Sequence, residues 1–123
     1  MTANQIEDKS FDFAVRIVNL YKFLQETQKE YVLSKQLLRS GTSIGANVAE
    51  AQHAQSRADF LAKMKIASKE ANETQYWIKL LFKTDYLTEP QYKSLQSDID
   101  EISSILISIC KTLQTKKFFI YPS

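Results

Sequence analysis

The sequence predicts an all-α chain folded as an antiparallel up-down-up-down four-helix bundle. Three observations predict it. Apolar residues recur at alternating spacings of four and three in four successive segments, the rhythm of helices that bury one seam. Period-two alternation, the mark of a half-buried strand, is absent. The whole chain holds two Gly and two Pro, too few for the turns of a β fold.

The first helix is predicted over 6–27, where Phe13, Ile17, Leu20 and Leu24 carry the seam. The second is predicted over 31–54 on Leu37, Gly41, Ile44, Val48 and Ala51. The third, over 57–84, keeps the rhythm through Phe60, Met64, Ala67, Ala71, Thr74, Ile78 and Leu81. Ser56-Arg57-Ala58-Asp59 has capping-box spacing at its start, with Asp59 in the first turn, where an acid is favoured. At ~1.5 Å per residue this helix is about 40 Å long, so the chain makes a rod. The fourth helix is predicted over 89–116 on Leu95, Ile99, Ile102, Leu106, Ile109 and Leu113. Thr88-Glu89-Pro90-Gln91 repeats the cap, and Pro90 falls where no intrahelical donor is needed. Short connections imply antiparallel neighbours in one domain spanning 1–123. The apolar tail, 118–123, lies outside the heptads and is expected to dock on the bundle or on a neighbouring subunit.

Composition sets bounds on function. There are 123 residues, 16 Lys+Arg against 14 Asp+Glu, a net charge of +2, 44% apolar and 24% charged residues. A chain of this size buries roughly two-thirds of its unfolded surface without staples. These values exclude a disordered tail protein, a disulfide mini-protein and a histone-like protein. The opening Met1–Lys9 lacks the basic and apolar regions of a signal peptide. No apolar run approaches the ~20 residues of a membrane span. The cytoplasm is therefore the expected location, with no membrane partner. The single cysteine, Cys110, sits in an apolar helix pattern and is read as a buried thiol.

Two features point to self-assembly. Helix one carries a second apolar stripe, Phe11, Val15 and Val18, beside a narrow polar one, Asp12, Arg16 and Asn19. The second stripe either broadens the core face or forms a subunit interface. Gly41 and Gly45 lie inside helix two, each costing ~1 kcal/mol against Ala. Close approach of another backbone offsets that cost; a kink or a broken helix start is the alternative. Together these features favour a homo-oligomer.

No catalytic constellation emerges. Glu50-Ala51-Gln52-His53 matches the Glu-x-x-His unit of di-iron bundles, and Glu70 and Glu73 offer carboxylates. One subunit has one His, too few for such a site, and His53 is read as ending helix two. No metal or cofactor is expected. Gln36, Ser40, Ser43, Asn47 and Glu50 form a polar stripe on helix two, read as a solvated face or as a lining between subunits. The nearest approach to a binding surface is on helix three. Lys65, Lys69, Asn72, Tyr76, Lys79 and Lys83 follow 4-3-4-3-4 spacing, a basic stripe ~27 Å long. Lysines can contact phosphates, and Tyr76 can stack on a base. The same stripe also suits a solvated outer face.

The stretch Arg39-Ser-Gly-Thr-Ser-Ile-Gly-Ala-Asn-Val-Ala-Glu-Ala51, with Phe60-Leu-Ala-Lys-Met-Lys-Ile-Ala-Ser-Lys-Glu-Ala-Asn-Glu-Thr-Gln-Tyr-Trp77, resembles the bacterial four-helix bundle family of 23S rRNA intervening-sequence, ribosomal-protein-like proteins. The resemblance covers about residues 8–116. It implies a pentameric ring of bundles. It also implies kinship with the accessory variability determinant of diversity-generating retroelements, which binds a reverse transcriptase and has a basic surface. The matching motif positions are Arg39, Ser43, Asn47, Glu50, Glu70, Glu73 and Trp77. Helix packing and buried hydrogen bonds account for such residues as well as a ligand does, and Trp77 is read as a packing anchor whose indole N–H needs a partner.

The expectation is a non-enzymatic homo-oligomeric scaffold that binds structured RNA through the helix-three stripe. The alternative is an adaptor for a polymerase or another protein, without direct RNA contact.

Overall fold

The computed structural model describes residues 3–120, with side chains described for 5–115. Among the described residues there are four helices: α1 (Ala3–Glu26), α2 (Leu33–Ala51), α3 (Arg57–Lys83) and α4 (Glu89–Ile120). Among the described residues there is no strand, and no helix is long and apolar enough to cross a membrane.

Both predicted caps form. Ser56 Oγ accepts from the Asp59 N–H at 3.0 Å. Thr88 and Gln91 exchange bonds, Gln91 N–H to Thr88 Oγ1 at 3.3 Å and Thr88 N–H to Gln91 Oε1 at 2.9 Å. These reciprocal bonds satisfy donors that the first turn leaves open. At the end of α3, Asp85 turns left-handed with φ 70. The N–H groups of Asp85 and Tyr86 then return to Phe82 and Leu81, a Schellman closure.

Three helices differ from the sequence expectation by more than one residue at an end, and α1 begins at Ala3 rather than residue 6. α2 is shorter at both ends than 31–54. At its start, the Glu30 side chain takes the N–H groups of Val32, Leu33 and Ser34, so Tyr31 and Val32 stay outside the helix. At its end, Gln52, His53 and Ala54 bond back three residues rather than four, the tightening common at helix termini. α4 runs four residues beyond 116, to Ile120. Phe118, Phe119 and Ile120 of the tail therefore continue the helix backbone, and 121–123 lie outside the described residues.

The predicted seams become the core. Phe13, Ile17 and Leu24 meet Leu37, Ile44 and Val48, then Met64, Ala67, Ala71, Ile78 and Leu81, then Leu95, Ile99, Ile102 and Leu106. Ile6, Leu87 and Ile105 are also buried. Contacts across the seams fix the register. Ser10 and Ile17 lie against Gly45 and Gly41, Arg39 pairs with Glu73 and Glu50 with Lys63, and Phe82 stacks on Tyr92 while Gln75 reaches Asp100. Along each seam one residue number rises as the other falls.

This packing bears on three readings of the sequence. The close approach at Gly41 and Gly45 is to α1 of the same chain, so the glycines give no argument for a second subunit. The second stripe of α1 broadens the core only at Val18, which is half-buried; Phe11 is 67% and Val15 47% exposed. The polar stripe of α2 is solvated only at its ends, where Gln36 and Glu50 are exposed. Ser40 is buried and its Oγ accepts from Thr74 Oγ1 at 3.0 Å, while Ser43 and Asn47 are half-buried. The stripe runs along the α2–α3 seam, where paired hydroxyls satisfy each other.

Candidate nucleic-acid interface

α3 divides by angle into an inner and an outer face. The heptad positions turn inward and leave Lys65, Lys69, Asn72, Tyr76, Lys79 and Lys83 on the side away from the core, all exposed. The stripe read from the sequence is therefore a real surface. None of its four lysines makes an ion pair among the described residues. Lys83 Nζ lies 5.7 Å from the centroid of the Phe82 ring, a cation–π distance.

The acids on either flank are already engaged. Toward α2, Arg39 Nη2 donates to Glu73 Oε2 at 2.9 Å and its Nη1 lies 3.9 Å from Glu70 Oε2. Glu50 pairs with Lys63 at 3.3 Å. Toward α4, Asp100 Oδ1 accepts from Gln75 Nε2 at 3.2 Å and from Gln96 Nε2 at 2.8 Å. Glu70 and Glu73 share the single Arg39 cation, and Asp100 is bonded by two neutral amides, so the stripe's lysines stay unpaired but are not isolated from negative charge.

The motif residues fall into two groups. Arg39, Ser43, Asn47, Glu50, Glu70, Glu73 and Trp77 line the α2–α3 seam. Ser43 Oγ donates to the Arg39 carbonyl at 2.6 Å, and Asn47 Nδ2 to the Ser43 carbonyl at 2.8 Å. Trp77 Nε1–H donates to Glu73 Oε2 at 3.3 Å, which supplies the partner its indole requires. Gly41 and Gly45 belong to the α1–α2 seam instead. None of these residues lies on the lysine stripe, although Trp77 touches Tyr76.

Other candidates resolve into packing. His53 is exposed in the turn after α2, and Glu50 faces Lys63 rather than a second carboxylate. Among the described residues no group of three or more His, Cys, Asp or Glu is arranged to hold a metal ion. Cys110 is buried; burial pushes its thiol pKa up, and the nearby Lys65 charge draws it partly back.

Sequence reasoning missed two polar centres. The first is Arg16, whose Nη1 donates to Asp98 Oδ2 at 2.7 Å and to the Ser94 carbonyl at 3.3 Å, and whose Nη2 donates to Ser94 Oγ at 2.6 Å. With Lys9–Glu101 at 3.1 Å, it bridges α1 to α4 over a groove of about 360 Å³. Its signal was the polar stripe of α1, which turns toward α4. The second is Glu30, 7% exposed, whose carboxylate caps α2. Desolvation pushes this carboxyl up, but the hydrogen bonds from Leu33, Val32 and Ser34 outweigh it and hold the group below its ordinary range.

Comparison with known proteins gives two matches of consequence. The family model described as 23S rRNA-intervening sequence protein matches residues 2–108. A crystal structure from Bacteroides thetaiotaomicron, of a protein of unknown function from the S23 ribosomal protein family, is 63% identical to this chain. It superposes with a TM-score of 0.88, covering 90% of this chain and 99% of its own. No protein of curated function matches.

Proposed function

The chain belongs to the 23S rRNA-intervening sequence protein family, and from that membership we propose that it acts without catalysis, as a helical scaffold that binds structured RNA through the outer face of α3. The observation that carries this reading is the set of four exposed lysines along one face of α3, none of which makes an ion pair among the described residues. A phosphate backbone pairs with such lysines and releases counterions as it binds. The scaffold acts in the cytoplasm as a homo-oligomer, a ring of five up-down-up-down bundles. Phe11 and Val15, exposed on the side of α1 away from its own core, suit the subunit contact. Assembly repeats the lysine stripe and multiplies its local field beyond what +2 per chain provides.

Anisotropy titration with a structured rRNA fragment, at low and physiological salt, tests the RNA reading. Submicromolar binding with a steep negative salt slope is expected. Replacing Lys65, Lys69, Lys79 and Lys83 together by Glu is expected to abolish it. Neutral Gln at the same four positions is expected to reduce the slope by about 3. Unchanged binding in either variant overturns the assignment of the face. Absence of binding at low salt overturns the RNA reading and leaves an adaptor for a protein partner such as a polymerase.

Light scattering tests the assembly. A mass of five times 14.2 kDa is expected, falling toward a single chain when Phe11 and Val15 are both replaced by Glu. A single-chain mass for the unaltered protein at micromolar concentration overturns the ring.

A further inference from the structure

Tyr76 differs from every other residue on the outer face of α3. It is aromatic, 59% exposed and shares its face with Lys69, Lys79 and Lys83. Its ring is nevertheless not free. It meets the Trp77 indole edge-on, with centroids 5.0 Å apart and planes at 79°. Trp77 is held by its N–H bond to Glu73 Oε2 at 3.3 Å. That same oxygen accepts from Arg39 Nη2 at 2.9 Å. A continuous line of contacts thus runs from α2 to the exposed ring: Arg39, Glu73, Trp77, Tyr76.

The line has a physical consequence. An exposed aromatic ring loses rotamer freedom when a ligand stacks on it, and that loss weakens binding. A ring braced by an indole, itself fixed by a charge-assisted hydrogen bond, has less freedom left to lose. Tyr76 is therefore a flat plate set in advance, with cations on both sides along the helix. Lys69 and Lys83 are each seven residues away, ~10.5 Å along the axis, and Lys79 is three residues away.

We propose that Arg39, Glu73 and Trp77 are positioning residues that hold Tyr76 as a stacking platform, and that the α3 face consequently selects unpaired RNA over duplex. This rests on the RNA-binding reading of the same face. A duplex keeps its base faces inside the stack and offers a convex helix only phosphates. A loop or bulge offers phosphates to the lysines and an open base face to Tyr76. The seam residues of the motif thereby acquire a role on the surface without touching RNA themselves.

The test uses the full chain and two RNAs, an unstructured strand of about 12 nucleotides and a blunt duplex of the same length. The unaltered protein is expected to bind the strand more tightly than the duplex. Tyr76→Ala is expected to weaken strand binding about tenfold, leave duplex binding unchanged and leave the salt slope unchanged, since no phosphate contact is lost. Tyr76→Phe is expected to keep full affinity. Trp77, the chain's single tryptophan, reports the positioning line directly: its emission is expected to change when the strand binds and not when the duplex does. Glu73→Gln is expected to lose part of the strand preference at an unchanged salt slope. RNA binding that is salt-dependent but identical in Tyr76→Ala and unaltered protein overturns the platform and leaves the RNA reading standing. Equal affinity for strand and duplex overturns the selectivity. No binding of the strand at low salt while the structured rRNA fragment still binds overturns the platform; no binding of any of the three overturns the RNA reading itself.

Discussion

Replacing Glu30 by Ala is expected to lower unfolding free energy by about 3 kcal/mol at neutral pH, with the loss concentrated at the start of α2. The residue at the N-cap position is Val32, whose side chain makes no cap bond. Glu30 acts in its place from two residues upstream. Oε2 accepts from the N–H groups of Val32 and Leu33, both at 2.9 Å, and Oε1 from Ser34 N–H at 2.6 Å. Ser34 Oγ answers by donating to the Glu30 carbonyl at 2.9 Å. One ordinary cap bond contributes ~1 kcal/mol. Here three donors share one buried carboxylate, and its charge faces the positive end of the helix. Glu30→Gln keeps an acceptor but loses the charge, so about half the effect is expected. Urea unfolding at fixed protein concentration, which holds any assembly equilibrium constant, measures both variants.

The same residue makes stability depend on pH, with a definite sign. The folded-state pKa of Glu30 lies below its ordinary value of 4.5. The unfolded chain therefore binds this proton more readily than the folded chain. Its stabilising contribution is complete above the ordinary value and is lost as pH falls through the folded value. The unaltered protein is expected to lose stability over that acid interval more steeply than Glu30→Gln, whose residue 30 does not titrate. Parallel unfolding curves for the two proteins across the interval would place the acid sensitivity in other carboxylates.

Much of this fold could be read from spacing alone, because burial on a helix is periodic. The heptad positions Ile17, Ile44, Ile78 and Ile99 are fully buried, and Ser56 and Thr88 both cap as read, with the reciprocal box closing at Thr88 and Gln91. The lysine stripe was legible for the same reason, since residues spaced by three and four must share a face. What spacing does not contain is the azimuth of one helix relative to another. Arg16 reads as a solvent-facing cation until α4 brings Ser94 and Asp98 to it. Ser40 and Thr74 are 34 residues apart, and nothing local announces that two hydroxyls will satisfy each other in the core. Glu30 was missed because side-chain caps are expected at the N-cap itself, and here the carboxylate comes from the preceding turn. The line from Arg39 to Tyr76 needed both the α2–α3 register and the indole orientation, neither of which a single helix specifies.

Gly41 and Gly45 give a prediction whose sign separates packing within the chain from helix propensity. By propensity alone, Ala at either position stabilises a helix by ~1 kcal/mol. The structure predicts the reverse. A Cβ at Gly41 would sit 2.8 Å from Ile17 Cγ1 and 2.9 Å from Cγ2. Both carbons belong to the branched root of a fully buried side chain, which has little rotamer freedom with which to yield. A Cβ at Gly45 would lie 3.1 Å from the Ser10 carbonyl oxygen, so α1 itself must give way. Overpacking of this kind costs typically 1–3 kcal/mol. Net destabilisation of about 2 kcal/mol is expected for Gly41→Ala and about 1 kcal/mol for Gly45→Ala. The double variant is expected to lose less than the sum, because an α1 displaced to admit one methyl already makes room for the second. Ile17→Ala supplies the decisive background. It removes both Cγ atoms and opens a cavity, costing roughly 2–5 kcal/mol by itself. Within that background Gly41→Ala is expected to stabilise by about 1 kcal/mol, since the clash is gone, the cavity is partly filled and the propensity gain remains. Stabilisation by Ala at Gly41 in the unaltered background would mean that α1 does not approach α2 this closely.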